Sequence, residues 1–94
     1  MYFISTRGNE RVTGAQAVVK GLAGDGGLFV PETFPAVSRE ELERMLGMDY
    51  PERAASVLSE YLDGFSFEEL LDYANRAYSR FDGDDPCPLV KVDD

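Results

Sequence analysis

The chain has 94 residues, 44% of them hydrophobic and 29% charged, which suits one soluble domain with one small core and no deep internal cavity. Its net charge of −9 repels phosphate backbones and argues against nucleic-acid binding. The absence of histidine removes Ser-His and Cys-His nucleophile pairs, and a single cysteine, Cys87, permits neither an internal disulfide nor a Cys-rich zinc site. No apolar run approaches the roughly 18–20 residues of a membrane helix, and the N-terminus lacks the basic and apolar regions of a signal peptide. A cytoplasmic location is the default expectation.

Tyr2-Phe3-Ile4-Ser5 favours a strand, and Arg7-Gly8-Asn9 a turn. Thr13 and Gln16 fit a capping box that opens a helix, with Ala15, Val18, Val19 and Leu22 at helical spacing and an end by Gly21 or Leu22. Gly24-Asp25-Gly26-Gly27 has three glycines in four residues and must be a turn or loop. Leu28-Phe29-Val30 is a short strand stopped by Pro31, and Pro31 to Pro35 is a connector.

Ser38-Arg39-Glu40-Glu41 is a second capping box, followed by Leu42, Met45 and Leu46 on one face and a stop at Gly47. Pro51 suits the first turn of the next helix, whose apolar side is Ala54, Val57, Leu58, Tyr61 and Leu62, and Gly64 ends it. Ser66-Phe67-Glu68-Glu69 opens the clearest helix, with Phe67, Leu70, Leu71, Ala74, Tyr78 and Phe81 in one stripe. These stripes have the spacing of core residues. Gly83 to Pro86 is a polar break, and Leu89-Val90-Lys91-Val92 is strand-like. The fold class is therefore α+β, a small α/β domain spanning residues 1–94. Short strands fall at the start, after the Gly-rich loop and at the end, with about four helices, three of them consecutive.

Few groups here carry chemistry. Asp82, Asp84 and Asp85 lack the spacing of a calcium loop and read as a solvated linker. Glu40, Glu41, Glu43, Glu68 and Glu69 lie at or near helix N-termini, where the helix dipole explains them. The Gly24–Gly27 loop is either a tight turn or a binding loop, and it matches neither a Walker A nor a dinucleotide fingerprint.

Two strings are distinctive: Tyr2-Phe3-Ile4-Ser5-Thr6-Arg7-Gly8, and Lys20-Gly21-Leu22-Ala23-Gly24-Asp25-Gly26-Gly27-Leu28-Phe29-Val30-Pro31-Glu32. In order, interval and position they resemble the opening of threonine synthases, a strand followed by Ser-Thr-Arg-Gly and then Gly-Leu-Ala-x-Asp-Gly-Gly-Leu-aromatic-Val-Pro-Glu. Residues Phe67 to Tyr78 and Pro88-Leu89-Val90 resemble that family's N-terminal domain as well. Gly24 departs from the pattern, since many members carry proline there.

The resemblance implies a pyridoxal-phosphate enzyme of fold type II that converts O-phospho-L-homoserine and water to L-threonine and phosphate. The cofactor lysine of the family lies in a His-Gly-Pro-Thr-x-x-Phe-Lys-Asp-like segment. This chain has no such segment, and Lys20 and Lys91 do not match it. The expectation is a lid-like N-terminal domain, inactive alone and without catalytic, cofactor or metal residues of its own. It would pack on downstream pyridoxal-phosphate domains of the same polypeptide. Arg7, Asp25, Gly26 and Gly27 are the residues expected to face those domains or the active site. An apolar surface left open in the isolated chain favours self-association. The rival reading is a stand-alone acidic module that binds a protein partner through an exposed apolar face; a self-sufficient small enzyme is disfavoured by the missing nucleophile, base and metal site.

Overall fold

In the computed structural model, which describes residues 1–81 and 85–93, the strand β1 (Tyr2–Ser5) forms the middle of an antiparallel sheet. Arg11–Thr13 (β2) and Phe29–Pro31 (β3) flank it in the order β2-β1-β3. Phe3 stands opposite Val12 and Pro31, and Ile4 opposite Arg11 and Val30. Strand alternation therefore puts Tyr2, Ile4 and Arg11 on one face and Phe3 and Ser5 on the other. The Arg11 guanidinium lies 3.6 Å from the centre of the Tyr2 ring and pairs with Glu32 at 2.8 Å. One side chain thus ties β2 to β1 and to the residue that follows β3 through a cation–π contact and an ion pair.

Four helices follow the expected order: Gly14–Lys20 (α1), Arg39–Met45 (α2), Tyr50–Ser59 (α3) and Phe67–Tyr78 (α4). The capping boxes at Thr13, Ser38 and Ser66 all form, each satisfying orphan N–H groups at a helix start. A fourth, between Asp49 and Glu52, places Pro51 in the first turn of α3. Gly21, at φ 78°, ends α1 in a conformation that side-chain-bearing residues avoid.

Helices α3 and α4 form the main helix pair. Ala55 is fully buried at 0% exposure, and Leu70 at 3% and Ala74 are buried beside it, so small residues let the two helices approach closely. Tyr50 and Tyr78 meet edge to face at 4.8 Å. The sheet joins the helices at Gly14: a Cβ there would lie 2.7 Å from Leu62 Cδ2 and 3.3 Å from Phe3 Cε2.

Four expectations need correction. Residues Leu89–Val92 form no strand; they are exposed and no strand of the sheet pairs with them. The third strand is shifted one residue and includes Pro31, which an edge strand tolerates because the side lacking an N–H faces away from its neighbour. Strand β2 was hidden in a short segment whose last residue also serves as a helix cap. The apolar stripes are core only in part. Val18, Val19, Leu22, Leu42, Leu46, Val57, Leu58, Phe67 and Phe81 are all exposed, because little of this chain packs over them. Asp82 and Asp84 lie outside the described residues.

The surface is large for the mass. The accessible area is 7183 Å², against about 5,400 Å² for a compact monomer of this size. The radius of gyration is 15.8 Å, where about 12 Å is usual for the length.

Candidate functional site

The residues after β1 and the glycine-rich loop close into a clasp. Thr6 donates its N–H to the Leu28 carbonyl at 2.9 Å, and Leu28 donates back to the Thr6 hydroxyl at 3.0 Å. The loop folds on itself through Ala23 N–H to the Gly27 carbonyl and Gly26 N–H to the Ala23 carbonyl. At the centre, one oxygen of Asp25 accepts the Ser5 hydroxyl at 2.7 Å and the Gly27 N–H at 2.9 Å. The Ser5 oxygen in turn accepts the Arg7 N–H at 3.1 Å. Ser5, at 5% exposure, is the buried polar hub of this network.

A second carboxylate fastens the outside. Glu10 accepts the Gly24 N–H at 2.7 Å and pairs with Lys20, while the Glu10 carbonyl receives the Ser5 N–H. Both carboxyls are held below their ordinary ranges. For Asp25 the main cause is the Ser5 hydroxyl, then the Gly27 N–H, with a smaller contribution from the Arg7 charge. For Glu10 it is Lys20 and then the Gly24 N–H.

Glycine is required where the two segments touch. Gly26 sits at φ 84°, and a Cβ there would stand 3.0 Å from Arg7 Nη1. At Gly27 a Cβ would collide with the Ser5 hydroxyl and approach the Arg7 nitrogen to 3.0 Å. The clasp therefore brings together all four expected residues, Arg7, Asp25, Gly26 and Gly27. It also recruits Ser5, Thr6, Glu10, Lys20 and Gly24. Ser5 and Thr6 were part of the distinctive first string, but nothing local links Glu10 to a lysine ten positions away.

The hydrogen bonds of the clasp hold the loop against the end of β1. Asp25 is stabilised as an ionised acceptor, the wrong state for a general acid near neutral pH. The Arg7 side chain is exposed above Gly26 and forms no ion pair among the described residues. No cluster of His, Cys, Asp or Glu among the described residues could hold a metal. No helix there is long and apolar enough to cross a membrane. Clefts open elsewhere among the described residues. One, of about 360 Å³, lies between α2 and α3 and is lined by Met45, Met48, Val57 and Phe67 among others. The second, of about 430 Å³, lies by Tyr2, Gly14 and Leu62. Cys87 is exposed, and its thiol together with Tyr78 raises the Tyr50 phenol above its ordinary range.

Fold and site together define a small α+β domain with a three-stranded antiparallel sheet and four helices among the described residues. A sequence profile described as threonine synthase N terminus matches residues 2–78. The chain belongs to this threonine synthase N-terminal family. It is 36% identical to the threonine synthase of Methylobacillus glycogenes, covering 100% of this chain and 22% of that protein. It is also 36% identical to the Escherichia coli enzyme, covering 90% of this chain and 19% of that one. A crystal structure of pyridoxal-phosphate-bound threonine synthase from Brucella melitensis superposes with a TM-score of 0.85 at 34% identity, over 99% of this chain and 20% of that one. The Escherichia coli threonine synthase structure gives 0.83 at 32% identity, over 99% of this chain and 21% of that one. The chain spans about a fifth of the length of these relatives.

Proposed function

We propose that this chain works as the N-terminal domain of a threonine synthase, whose full-length form converts O-phospho-L-homoserine and water to L-threonine and phosphate. The observation that carries this reading is the superposition on one fifth of a pyridoxal-phosphate-bound threonine synthase. In this reading the enzyme is a pyridoxal-phosphate-dependent carbon–oxygen lyase of amino-acid biosynthesis, acting in the cytoplasm, and residues 1–94 are one domain of it.

The residues of this chain do not fit the cofactor. A lysine must reach the bound group, yet no lysine lines either cleft, and Lys20 is engaged by Glu10. Lys91 lies in the exposed segment near the C-terminus, remote in sequence from the clasp. The cofactor and the chemistry it supplies belong to the portion of the relatives beyond the aligned fifth, and the 94-residue chain alone is inactive. Its share is to dock on that portion and to present the clasp, with Arg7 outermost, toward the interface or the active site. The Arg7 guanidinium lies exposed over Gly26, where a side chain would crowd it, which supports this role.

The test compares the full-length gene product with the 94-residue chain. Schiff-base absorbance and phosphate release from O-phospho-L-homoserine are expected in the long form only. A colourless, inactive long form overturns the proposal and favours the acidic interaction module.

A further inference from the structure

Helix α1 is built for contact that this chain does not provide. Only Gly14 of its seven residues is buried, while Val18 is 67% and Val19 88% exposed. Leu22, just past the Gly21 cap, is 58% exposed. Neighbouring β-branched residues are poor choices for a solvated helix face, where Ala, Glu, Lys or Gln form the helix better. Their presence is explained by packing.

Charge separates this region from the rest. Residues 1–37 carry Arg7, Arg11 and Lys20 against Glu10, Asp25 and Glu32, which sum to zero, so the whole −9 lies in residues 38–94. A neutral surface loses less on leaving water than one dense in carboxylates. The cleft between α2 and α3 is the rival apolar surface, but Glu41, Arg44 and Glu60 line it and would have to be desolvated.

We infer that the outer side of α1, with Val18 and Val19 and with Leu22 just past its cap, is the face on which the remaining portion of the threonine synthase polypeptide docks. The occupant is an apolar surface of that portion. The relatives carry about four-fifths of their length beyond the aligned part, and the accessible area of this chain is about a third above that of a compact monomer, so a further surface is there to be covered. What points to α1 is the exposure of its adjacent valines within residues 1–37, the stretch that carries no net charge. The inference rests on the proposed function and adds the face that mediates it.

The experiment introduces Val19→Asp and, as a control on the acidic half, Leu46→Asp, which is 78% exposed. Both are made in the full-length gene product and in the 94-residue chain. Thermal unfolding and association state are measured for each. Val19→Asp is expected to lower the full-length melting temperature by at least about 4 °C and to leave that of the 94-residue chain unchanged. Leu46→Asp is expected to change neither. The inference is overturned if Val19→Asp leaves the full-length enzyme unchanged, if Leu46→Asp lowers it equally, or if Val19→Asp destabilises the 94-residue chain as much. A Val19→Asp effect on self-association alone, with no change in melting temperature, assigns the face to a second copy and also overturns it. Loss of cofactor binding in the unmutated long form is a separate result, which removes the functional proposal instead.

Discussion

The Ser5 hydroxyl donates to the Asp25 carboxylate at 2.7 Å, joining the end of the first strand to a loop twenty residues later. Ser5 also receives the Arg7 N–H, so its removal leaves a backbone donor and an acidic acceptor short of a partner at once. Ser5→Ala should cost about 1–2 kcal/mol, read as a lower denaturant midpoint with an unchanged m-value. Ser5→Thr keeps the hydroxyl but crowds a buried position, and should recover only part of the loss.

The clasp carboxyls set a direction for acid sensitivity. Asp25 and Glu10 both lie below their ordinary values of 3.8 and 4.5 in the folded chain. A depressed folded pKa gives stability that is present above the unfolded value and is lost as pH falls through the folded one. Melting temperature should therefore hold above about pH 5 and fall steadily below pH 4. Asp25→Asn should be less stable at neutral pH and flatter across the acid range. A profile as steep as that of the parent chain would exclude Asp25 from the transition.

Glycine positions in the clasp differ in what they tolerate. Gly26→Ala puts a Cβ at a left-handed position and should cost about 1–2 kcal/mol. Gly27→Ala forces its methyl onto the Ser5 hydroxyl and should open the clasp, seen as faster amide exchange at Thr6 and Leu28. Gly24→Ala meets only ordinary contacts, at 3.5 Å and beyond, and should be tolerated. Gly24→Pro loses the N–H that Glu10 accepts and should be less stable than Gly24→Ala.

In the full-length enzyme, Arg7→Ala should lower kcat/KM roughly tenfold, with Arg7→Lys recovering part of it. Unchanged kinetics and unchanged melting temperature together would remove the proposed outward role of Arg7.

In the helical half, Leu70→Ala should cost about 2–5 kcal/mol, because Leu70 is among the few buried side chains. That is a large share of what a domain of this size holds in reserve. Leu46→Ala, on the exposed side of α2, should change stability by less than about 0.5 kcal/mol. Chemical unfolding of the pair separates core from unfilled face.

Helix starts were the most legible part of the fold. Thr13, Ser38 and Ser66 each carry their partner three residues on, a local signal that tertiary contacts do not override. Helix faces were less so. Spacing identifies a side fit for burial, but Val19 and Leu46 remain exposed because no other element of these residues packs over them. The same dependence explains Leu89–Val92, whose composition favours a strand while no neighbouring edge accepts it. In the clasp, Asp25, Gly26 and Gly27 stood out as a string, and Arg7 with them. Ser5 as hub, and the Glu10–Lys20–Gly24 fastening, depend on contacts between segments that periodicity does not register.

The sheet order leaves β2 and β3 with one open side each. An open strand edge is a template for another chain, and long flat ones seed fibres. Here each edge is only three residues long; β3 ends in Pro31, and β2 begins at Arg11, already drawn across the sheet to Glu32. A foreign strand would find almost no run of free backbone donors and acceptors, and would meet a charge or a ring before completing a ladder. The domain can thus leave apolar side chains uncovered with its backbone guarded against amyloid-like growth.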